Sequence, residues 1–234
     1  MPAEERSLLL TCEHGGNRVP RGYRALFPGR EALLASHRGF DAGALALGRS
    51  LSRALGADLI AATTTRLLVD LNRSPHNPAV FSEITRGLER ELRDALLARC
   101  HRPHWERVRA AIAARGAGVL HIAVHSFTPV WRGKKRSFGM GILYDPKRCR
   151  ERSLAMAWQR RIRAEIPGLG VRRNAPYRGD ADALPSALRR ELPEERYLGL
   201  ELELNERAIL AAAERRALAA VLARTLCATL RDPA

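Results

Sequence analysis

The sequence predicts an α/β protein, a three-layer sandwich in which a mixed, mostly parallel sheet is covered by helices on both faces. Short apolar runs bounded by turn residues, which are typical of buried strands, alternate with longer segments of helical periodicity. Several of these apolar runs are followed at once by acids, imidazoles or glycines, as expected where parallel strands end at a ligand site.

Length and composition are those of an ordinary globular protein. The chain has 234 residues, of which 46% are hydrophobic and 28% charged, so we expect a single domain over residues 1–234 with its own core. No apolar segment approaches the ~18 residues of a membrane span, and we expect no membrane partner. The charged N-terminus lacks the features of a signal peptide, which predicts a cytoplasmic protein.

The formal net charge of +15 raises the question of a polyanionic partner. The arginines are spread along the predicted helices, and the one local cluster is Trp131–Arg136. This distribution does not favour nucleic acid as a partner, whereas a positive field favours a small anionic substrate. The four cysteines show no paired spacing, which predicts reduced thiols rather than disulfides or a cysteine-type zinc site.

Taken in order, the elements begin with a strand at Ser7–Cys12 that ends in Glu13, His14, two glycines and Asn17. A helix follows Asp41, with leucines at helical spacing and Gly56 as its stop. Further strands are predicted at residues 57–62, 66–71, 119–124, 138–144, 171–174 and 197–204, and further helices at 82–99, 103–115, 152–165 and 206–230.

Chemically capable side chains follow four of these strands: Glu13–His14, Asp70–Arg73, His125–Ser126 and Glu201–Glu203. A parallel sheet brings such ends to one edge. A catalytic zinc site needs three ligands from His, Asp or Glu and an open position for water, whose pKa the ion lowers toward ~7.

The imidazoles of His14 and His125 would supply two of the three ligands, and the third must then be a carboxylate from Asp41, Glu13 or, less well, Asp70. Glu203 can take the proton of the attacking water and pass it to the leaving amine. Arg73 can hold a substrate carboxylate or stabilise an oxyanion.

Each of these residues also has a purely structural explanation. Asp41 precedes a helix and can cap it. Asp70 and Arg73 can form an ion pair beside a turn, and Glu201 and Glu203 can lie on the solvated face of an edge strand. We expect structural roles for the remaining histidines, with His101 and His104 at the surface where a helix begins: His37, His76, His101, His104 and His121.

Taken together, these segments resemble the N-formylglutamate amidohydrolase family. The matches run in order from about residue 8 to 207, and the Val-Asp-Leu-Asn-Arg and His-Ser-Phe-Thr-Pro runs are the more specific ones. The matching segments are Thr11–Pro20, Phe40–Ala44, Thr65–Arg73, His121–Pro129, Asn174–Tyr177 and Leu200–Asn205.

This family is similar in fold to the zinc carboxypeptidases and aspartoacylases, within the zinc-exopeptidase and phosphorylase/hydrolase-like folds. The resemblance implies a mixed eight-stranded sheet and one zinc ion, whose bound water attacks an N-acyl amide. It implies that His14 and His125 bind zinc and that Glu203 is the general base. Substrate contacts are implied for residues in the matching motifs: Asn17, Asn72, Arg73, Ser126 and Tyr177.

The sequence departs from the carboxypeptidase pattern at Asn17, where those enzymes place a glutamate ligand. We prefer Asp41 over Glu13 as the third ligand, because an acid recurs at that place in the family. We prefer Glu203 over Glu201 as the base, because it lies nearer the carboxyl end of its strand.

The leading functional hypothesis is a zinc-dependent amidohydrolase that removes an N-acyl, nominally N-formyl, group from an amino acid such as N-formyl-L-glutamate. An alternative is a related zinc amidase or carboxypeptidase that acts on another N-acyl amino acid or a peptide. A third hypothesis, from another class, is a non-catalytic protein that binds polyanions through Arg132, Lys134, Lys135 and Arg136.

Overall fold

A six-stranded mixed sheet organises residues 6–116 and 118–232, the part of the chain that the computed structural model describes. The strand order is β2-β1-β3-β8-β6-β7, and β4 and β5 form a separate two-stranded hairpin. The strands are β1 (Ser7–Cys12), β2 (Asp58–Ala61), β3 (Val119–Phe127), β4 (Val130–Trp131), β5 (Lys134–Lys135), β6 (Met140–Leu143), β7 (Val171–Arg173) and β8 (Tyr197–Asn205).

The pairing of the strands confirms a mixed, mostly parallel sheet. Strand β1 pairs in parallel with β2 and β3, and β3 pairs in parallel with β8. Strand β6 runs antiparallel to β8 and parallel to β7. The described residues therefore form six strands in the main sheet and two in the hairpin, rather than the single eight-stranded sheet that the family resemblance implies.

Helices cover both faces of the sheet and complete three layers. The apolar stripes of α2, α5 and α7 pack on one face together with the leucines of β8, and those of α4 and α6 pack on the other face. The helices are α1 (Glu31–Leu34), α2 (Ala44–Leu55), α3 (Arg90–Leu96), α4 (Arg102–Ala113), α5 (Cys149–Glu165), α6 (Leu184–Glu191) and α7 (Ala212–Arg231). The four cysteines are free, as expected from their spacing.

The strand predicted at residues 66–71 is wrong, because this stretch forms turns. Its apolar side chains are buried outside the main sheet: Leu67 and Leu68 pack with Phe27, and Val69 and Leu71 pack with Val80. A short apolar run without periodicity does not distinguish a strand from a buried loop.

The helix predicted at 82–99 is wrong in its first half, whereas the helix predicted at 103–115 agrees with α4 to within two residues at each end. Helix α3 begins later, at Arg90, and continues into α4 through a π-helical turn at Leu97–His101. Pro103 lacks an N–H, and its ring crowds the carbonyl four residues earlier. The widened turn accommodates that ring, so the proline lies in the first turn of α4 instead of ending a helix.

Candidate metal site and active-site pocket

His14, Asp41 and His125 converge at the carboxyl edge of the central strands. His14 lies two residues beyond the end of β1, and His125 lies near the end of the neighbouring β3. Asp41 precedes α2, and its backbone N–H donates to the carbonyl of His14 at 2.9 Å. One potential ligand atom from each residue lies within 4.8 Å of the others, and all three side chains are buried.

The Nδ1 atoms of both histidines face the carboxylate of Asp41. Asp41 Oδ2 lies 2.9 Å from His125 Nδ1 and 3.4 Å from His14 Nδ1. His14 Nδ1 is buried and has no hydrogen-bond partner within the described residues. Two imidazole nitrogens and one carboxylate match the donor set of a catalytic zinc site, so these residues fit a divalent metal ion.

A carboxylate lies behind each histidine, on the Nε2 side of the ring. Asp70 Oδ1 is 2.7 Å from His14 Nε2, and Glu13 Oε2 is 3.2 Å from His125 Nε2. When Nε2 carries the proton and faces a carboxylate, the lone pair of Nδ1 is left for a metal. Glu13 and Asp70, the two alternative third ligands, therefore lie in outer positions, and the geometry favours Asp41.

The outer carboxylates are themselves held by further side chains. Arg66 donates to Asp70 Oδ2 at 3.0 Å and to Asp41 Oδ1 at 3.2 Å. Burial alone would raise the pKa of both aspartates, but His14 and Arg66 lower it below the ordinary value. Glu13 is fully buried, and its Oε1 lies 3.4 Å from His104 Nε2. Burial opposes ionisation of Glu13, but hydrogen bonds from His104 and His125 lower its pKa well below the ordinary value.

The surface position predicted for His101 and His104 is wrong, because both are buried beneath the site. His101 Nε2 donates to the carbonyl of Arg73 at 2.7 Å. His121 is buried between Thr11 and Tyr197, and burial lowers its pKa to about 4, which fits the structural role expected for it. The spacing of three residues between His101 and His104 places both on one helix face, and this spacing was the sequence feature that could have indicated a shared environment for them.

Replacing His104 with Leu is expected to weaken zinc binding about 10–100-fold, the usual effect of losing a residue that orients a metal ligand from outside. The leucine leaves Glu13 Oε1 without its imidazole partner, so the carboxylate behind His125 is less firmly held. Competition against a chromogenic chelator measures the affinity. His104→Gln, which keeps an N–H donor, is the control, and equal zinc affinity in His104→Leu and the parent protein would contradict the expectation.

Two glycines allow the segment that follows β2 to approach the loop after His14. A Cβ on Gly15 would lie 2.8 Å from the carbonyl oxygen of Ala62, and one on Gly16 would lie 2.9 Å from that of Thr63. Real Cβ atoms essentially never come that close, so any larger residue would push the loop away from the segment after β2. The glycines therefore fix the position of His14.

Glu203 lies in the same cavity as the three candidate ligands. Its Oε2 is buried and has no hydrogen-bond partner within the described residues. Burial, with the nearby charges of Asp41 and Glu201, raises the pKa of Glu203 to about 8, although His125 opposes this shift. Glu201 also lines the cavity, but its Oε2 lies 3.4 Å from Asn72 Nδ2.

Strand β8 is an inner strand, and all nine of its residues are buried. Glu201 and Glu203 therefore do not lie on the solvated face of an edge strand, the structural alternative considered from the sequence.

The cavity has a volume of about 620 Å³ and brings together most of the residues predicted to contact substrate, namely Asn72, Arg73, Ser126 and Tyr177. Asn72 Oδ1 accepts a hydrogen bond from the backbone of Leu184 at 3.0 Å, and Arg73 donates to the carbonyl of Asp182. Helix α6, which contains Leu184, was missed from the sequence.

Asn17 is not brought into this cavity. Its Nδ2 instead donates to the carbonyl of Leu34 at 3.1 Å. Asn17 thus connects the loop after β1 to α1, and the substrate contact predicted for it stays a prediction.

The protein is therefore a layered α/β protein. Its parallel strands end at a buried cluster of histidines and carboxylates, which is a candidate metal site. A family model described as N-formylglutamate amidohydrolase matches residues 6–210, and the chain belongs to this family. Membership indicates an enzyme of the amidohydrolase type.

Solved structures of similar fold accompany this match. The gene product Atu2144 from Agrobacterium tumefaciens is 31% identical, with a TM-score of 0.84 over 97% of this chain and 92% of that one. The N-formylglutamate amidohydrolase from Ralstonia eutropha JMP134 is 21% identical, with a TM-score of 0.71 over 98% and 95% of the two chains. The CwlD amidase from Clostridioides difficile, at 12% identity and a TM-score of 0.51 over 97% and 98%, is similar in fold alone. No curated protein matches the sequence significantly.

Among the described residues, every helix is too short or too polar to cross a lipid bilayer.

Proposed function

We propose that the protein is a zinc-dependent amidohydrolase that removes an N-acyl, nominally N-formyl, group from an amino acid such as N-formyl-L-glutamate. The observation that carries the proposal is the buried cluster of His14, Asp41 and His125, which shares one cavity with the unpartnered carboxyl oxygen of Glu203. Membership of the N-formylglutamate amidohydrolase family supports the same reaction class.

The metal would be held by the Nδ1 atoms of His14 and His125 and by the carboxylate of Asp41. Asp70 forms a hydrogen bond with Nε2 of His14, and the carboxylate of Glu13 faces Nε2 of His125 at 3.2 Å, which would keep both rings oriented with Nδ1 toward the metal. A bound zinc ion supplies an activated water and polarises the amide carbonyl.

Glu203 would act as the general base and then as the general acid. A general base works best when its pKa lies near the operating pH, and in the metal-free protein burial raises the pKa of Glu203 to about 8. The carboxylate accepts the proton that the attacking water loses and delivers it to the amine nitrogen as the C–N bond breaks. Because Glu203 is only 5% exposed, bulk water does not compete for that proton.

Arg73 and Asn72 would position the substrate. A guanidinium can hold a substrate carboxylate through two parallel hydrogen bonds, and Arg73 lines the cavity beside Asn72. Ser126 and Tyr177 line other parts of the wall and would contact the remainder of the substrate.

We also propose that residues 1–234 form one domain and that the partner is a small anionic substrate. The cytoplasmic location stays a prediction.

Removal of the metal tests the proposal directly. Chelation is expected to lower the release of free amine from N-formyl amino acids by at least ~10³-fold, because the metal supplies several kcal/mol of transition-state stabilisation. Stoichiometric zinc should restore the activity, and metal analysis should find about one ion per chain.

The His125→Ala variant serves as the control, since it should bind zinc weakly and stay inactive at the zinc concentration that restores the parent protein. Hydrolysis that persists in the fully chelated protein, together with no divalent ion in the purified chain, would overturn the proposal.

A further inference from the structure

Arg136 places a positive charge at the wall of the active-site cavity. It follows β5 directly, and its backbone N–H donates to the carbonyl of Pro129 at 2.9 Å across the base of the hairpin. Its side chain is half-buried, and no ion pair within 4 Å joins it to a carboxylate among residues 6–116 and 118–232. A guanidinium in this position is stabilised when an anionic ligand binds beside it.

Three aromatic side chains that line the cavity surround this guanidinium. Its central carbon lies 5.2 Å from the ring centroid of Phe127, 5.5 Å from that of Trp131 and 5.6 Å from that of Tyr177. It also donates a hydrogen bond to the carbonyl of Thr128 at 3.2 Å. The rings hold the planar group in place through cation–π contacts. Because a guanidinium has five N–H donors, several of them remain for a ligand.

The charge of Arg136 acts on groups inside the cavity. Burial lowers the pKa of His37, a lining residue, and neighbouring arginines that include Arg136 add to this shift. Burial and the charge of Glu203 raise the pKa of Tyr177, whereas Arg136 opposes that shift. A negative group that enters the cavity beside Tyr177 is therefore attracted toward Arg136.

The other arginines around the cavity differ from Arg136 in their partners and exposure. Arg66 is engaged by two aspartates of the metal-site cluster. Arg38 and Arg178 are 49% and 76% exposed in ion pairs of their own, and water weakens the attraction between exposed charges. Arg73 is the guanidinium already proposed to hold a carboxylate. Arg136 is thus the second arginine that is both partly shielded from water and, within the described residues, without an acidic partner.

A substrate with two carboxylates needs a partner for each of them when it leaves water. The open position of a catalytic zinc site takes water or the amide carbonyl, so the carboxylates need side-chain partners. We infer that Arg136 is a specificity-determining residue, which binds the side-chain carboxylate of an N-acylated dicarboxylic amino acid while Arg73 holds the α-carboxylate. The inference rests on the proposed function and adds to it the residue that recognises the second carboxylate.

The positions of the two arginines decide which carboxylate each one binds. Arg73 follows Asn72, whose amide nitrogen lies 3.4 Å from Nε2 of the candidate metal ligand His125. The α-carboxylate is the one nearer the scissile amide, and it therefore belongs with Arg73. Arg136 lies against Trp131, which is 44% exposed, and so faces the outer part of the cavity, where the longer side chain of the substrate ends.

The test compares N-formyl-L-glutamate with N-formyl-L-glutamine, which has nearly the same shape but an uncharged side chain. With the zinc-loaded protein, kcat/KM for amine release is expected to be about 10–100-fold higher for the glutamate substrate, the factor that a hydrogen bond to a charged group provides. Arg136→Gln should remove most of this preference. It should do so by lowering kcat/KM for N-formyl-L-glutamate, while kcat/KM for N-formyl-L-glutamine changes little.

Arg132→Gln is the matched control, because it removes the same charge from the same hairpin. Arg132 is exposed, and its guanidinium lies 5.9 Å from the ring centroid of Trp131, so it also makes a cation–π contact. This variant should leave the preference for N-formyl-L-glutamate unchanged. Arg136→Lys keeps the positive charge but loses the planar group with its paired donors, and it should retain part of the preference.

The inference alone is overturned if the parent protein hydrolyses both substrates equally well. It is also overturned if Arg136→Gln slows both by the same factor, since that result means that Arg136 only supports the aromatic rings. If the zinc-loaded parent protein cleaves neither substrate, the proposed function fails and the inference fails with it. The two failures are therefore distinguishable.

Discussion

Replacing Glu203 with Gln is expected to lower kcat by ~10²–10⁴-fold, the contribution of a general acid–base group, while zinc binding is retained. The amide has nearly the shape of the carboxyl group but cannot accept the proton of the attacking water. Glu203 is in the metal-site cavity without being one of the three candidate ligands, so the loss should appear in kcat rather than in zinc affinity. Steady-state rates and chelator competition on the same preparation measure both quantities.

The same substitution should change the pH dependence of stability in the metal-free protein. The pKa of Glu203 is raised from 4.5 to about 8 by burial, so the folded state retains a proton that the unfolded chain releases above pH ~4.5. Its contribution to stability is therefore fully present below that pH and is lost as the pH rises to 8. Glu203→Gln removes this loss, so its free energy of unfolding should rise relative to the parent between pH 5 and 8, by up to about 1.4 kcal/mol per pH unit.

Glu201→Gln is the matched control, because Glu201 lies on the same face of β8 two residues away and lines the same cavity. Its side chain already contacts Asn72 at 3.4 Å, and we expect a smaller effect on kcat. If Glu201→Gln abolishes hydrolysis while Glu203→Gln remains active, the base is Glu201, and the assignment made from strand position and burial is wrong.

The sequence carried enough information to predict that the imidazoles and carboxylates would meet. The first strand, the buried strand that contains His125 and the last strand are strongly apolar, and parallel strands that end together bring their following residues to one edge. The two glycines after His14 predicted a tight turn, and the structure adds a second reason for them, the close approach of Ala62 and Thr63.

The parts of the site that could not be predicted depend on packing between distant segments. His104 and Glu13 are separated by 91 positions, and their contact follows from how α4 packs against β1. The spacing of three residues from His101 places both histidines on one helix face, but it does not show whether that face is buried. The run at 66–71 was assigned to a strand because burial gives the same composition to a strand and to a loop that packs beneath other side chains.

A buried ion pair between α5 and α6 forms hydrogen bonds with strand β8, which carries Glu201 and Glu203. Arg189 Nε lies 3.0 Å from Glu151 Oε1, and these side chains are 8% and 0% exposed. Arg189 also donates to the carbonyl of Gly199 in β8 at 2.7 Å, and Glu151 accepts from the N–H of Gly199 at 2.9 Å. The pair therefore connects both helices to the strand that carries the candidate base.

Replacing Arg189 with Met is expected to lower the free energy of unfolding by about 3 kcal/mol, because the buried Glu151 loses its nearest cation and keeps only Arg148, whose Nε lies 3.5 Å from Oε1. Denaturant unfolding of the metal-free protein, followed by circular dichroism, measures the change. Arg109→Ala is the matched control: Arg109 also donates two hydrogen bonds to a glutamate, Glu191, but the pair is exposed and should be worth less than about 1 kcal/mol. Equal losses in the two variants would mean that burial does not decide the energy of this ion pair, and that β8 is held by its strand pairing and leucine face alone.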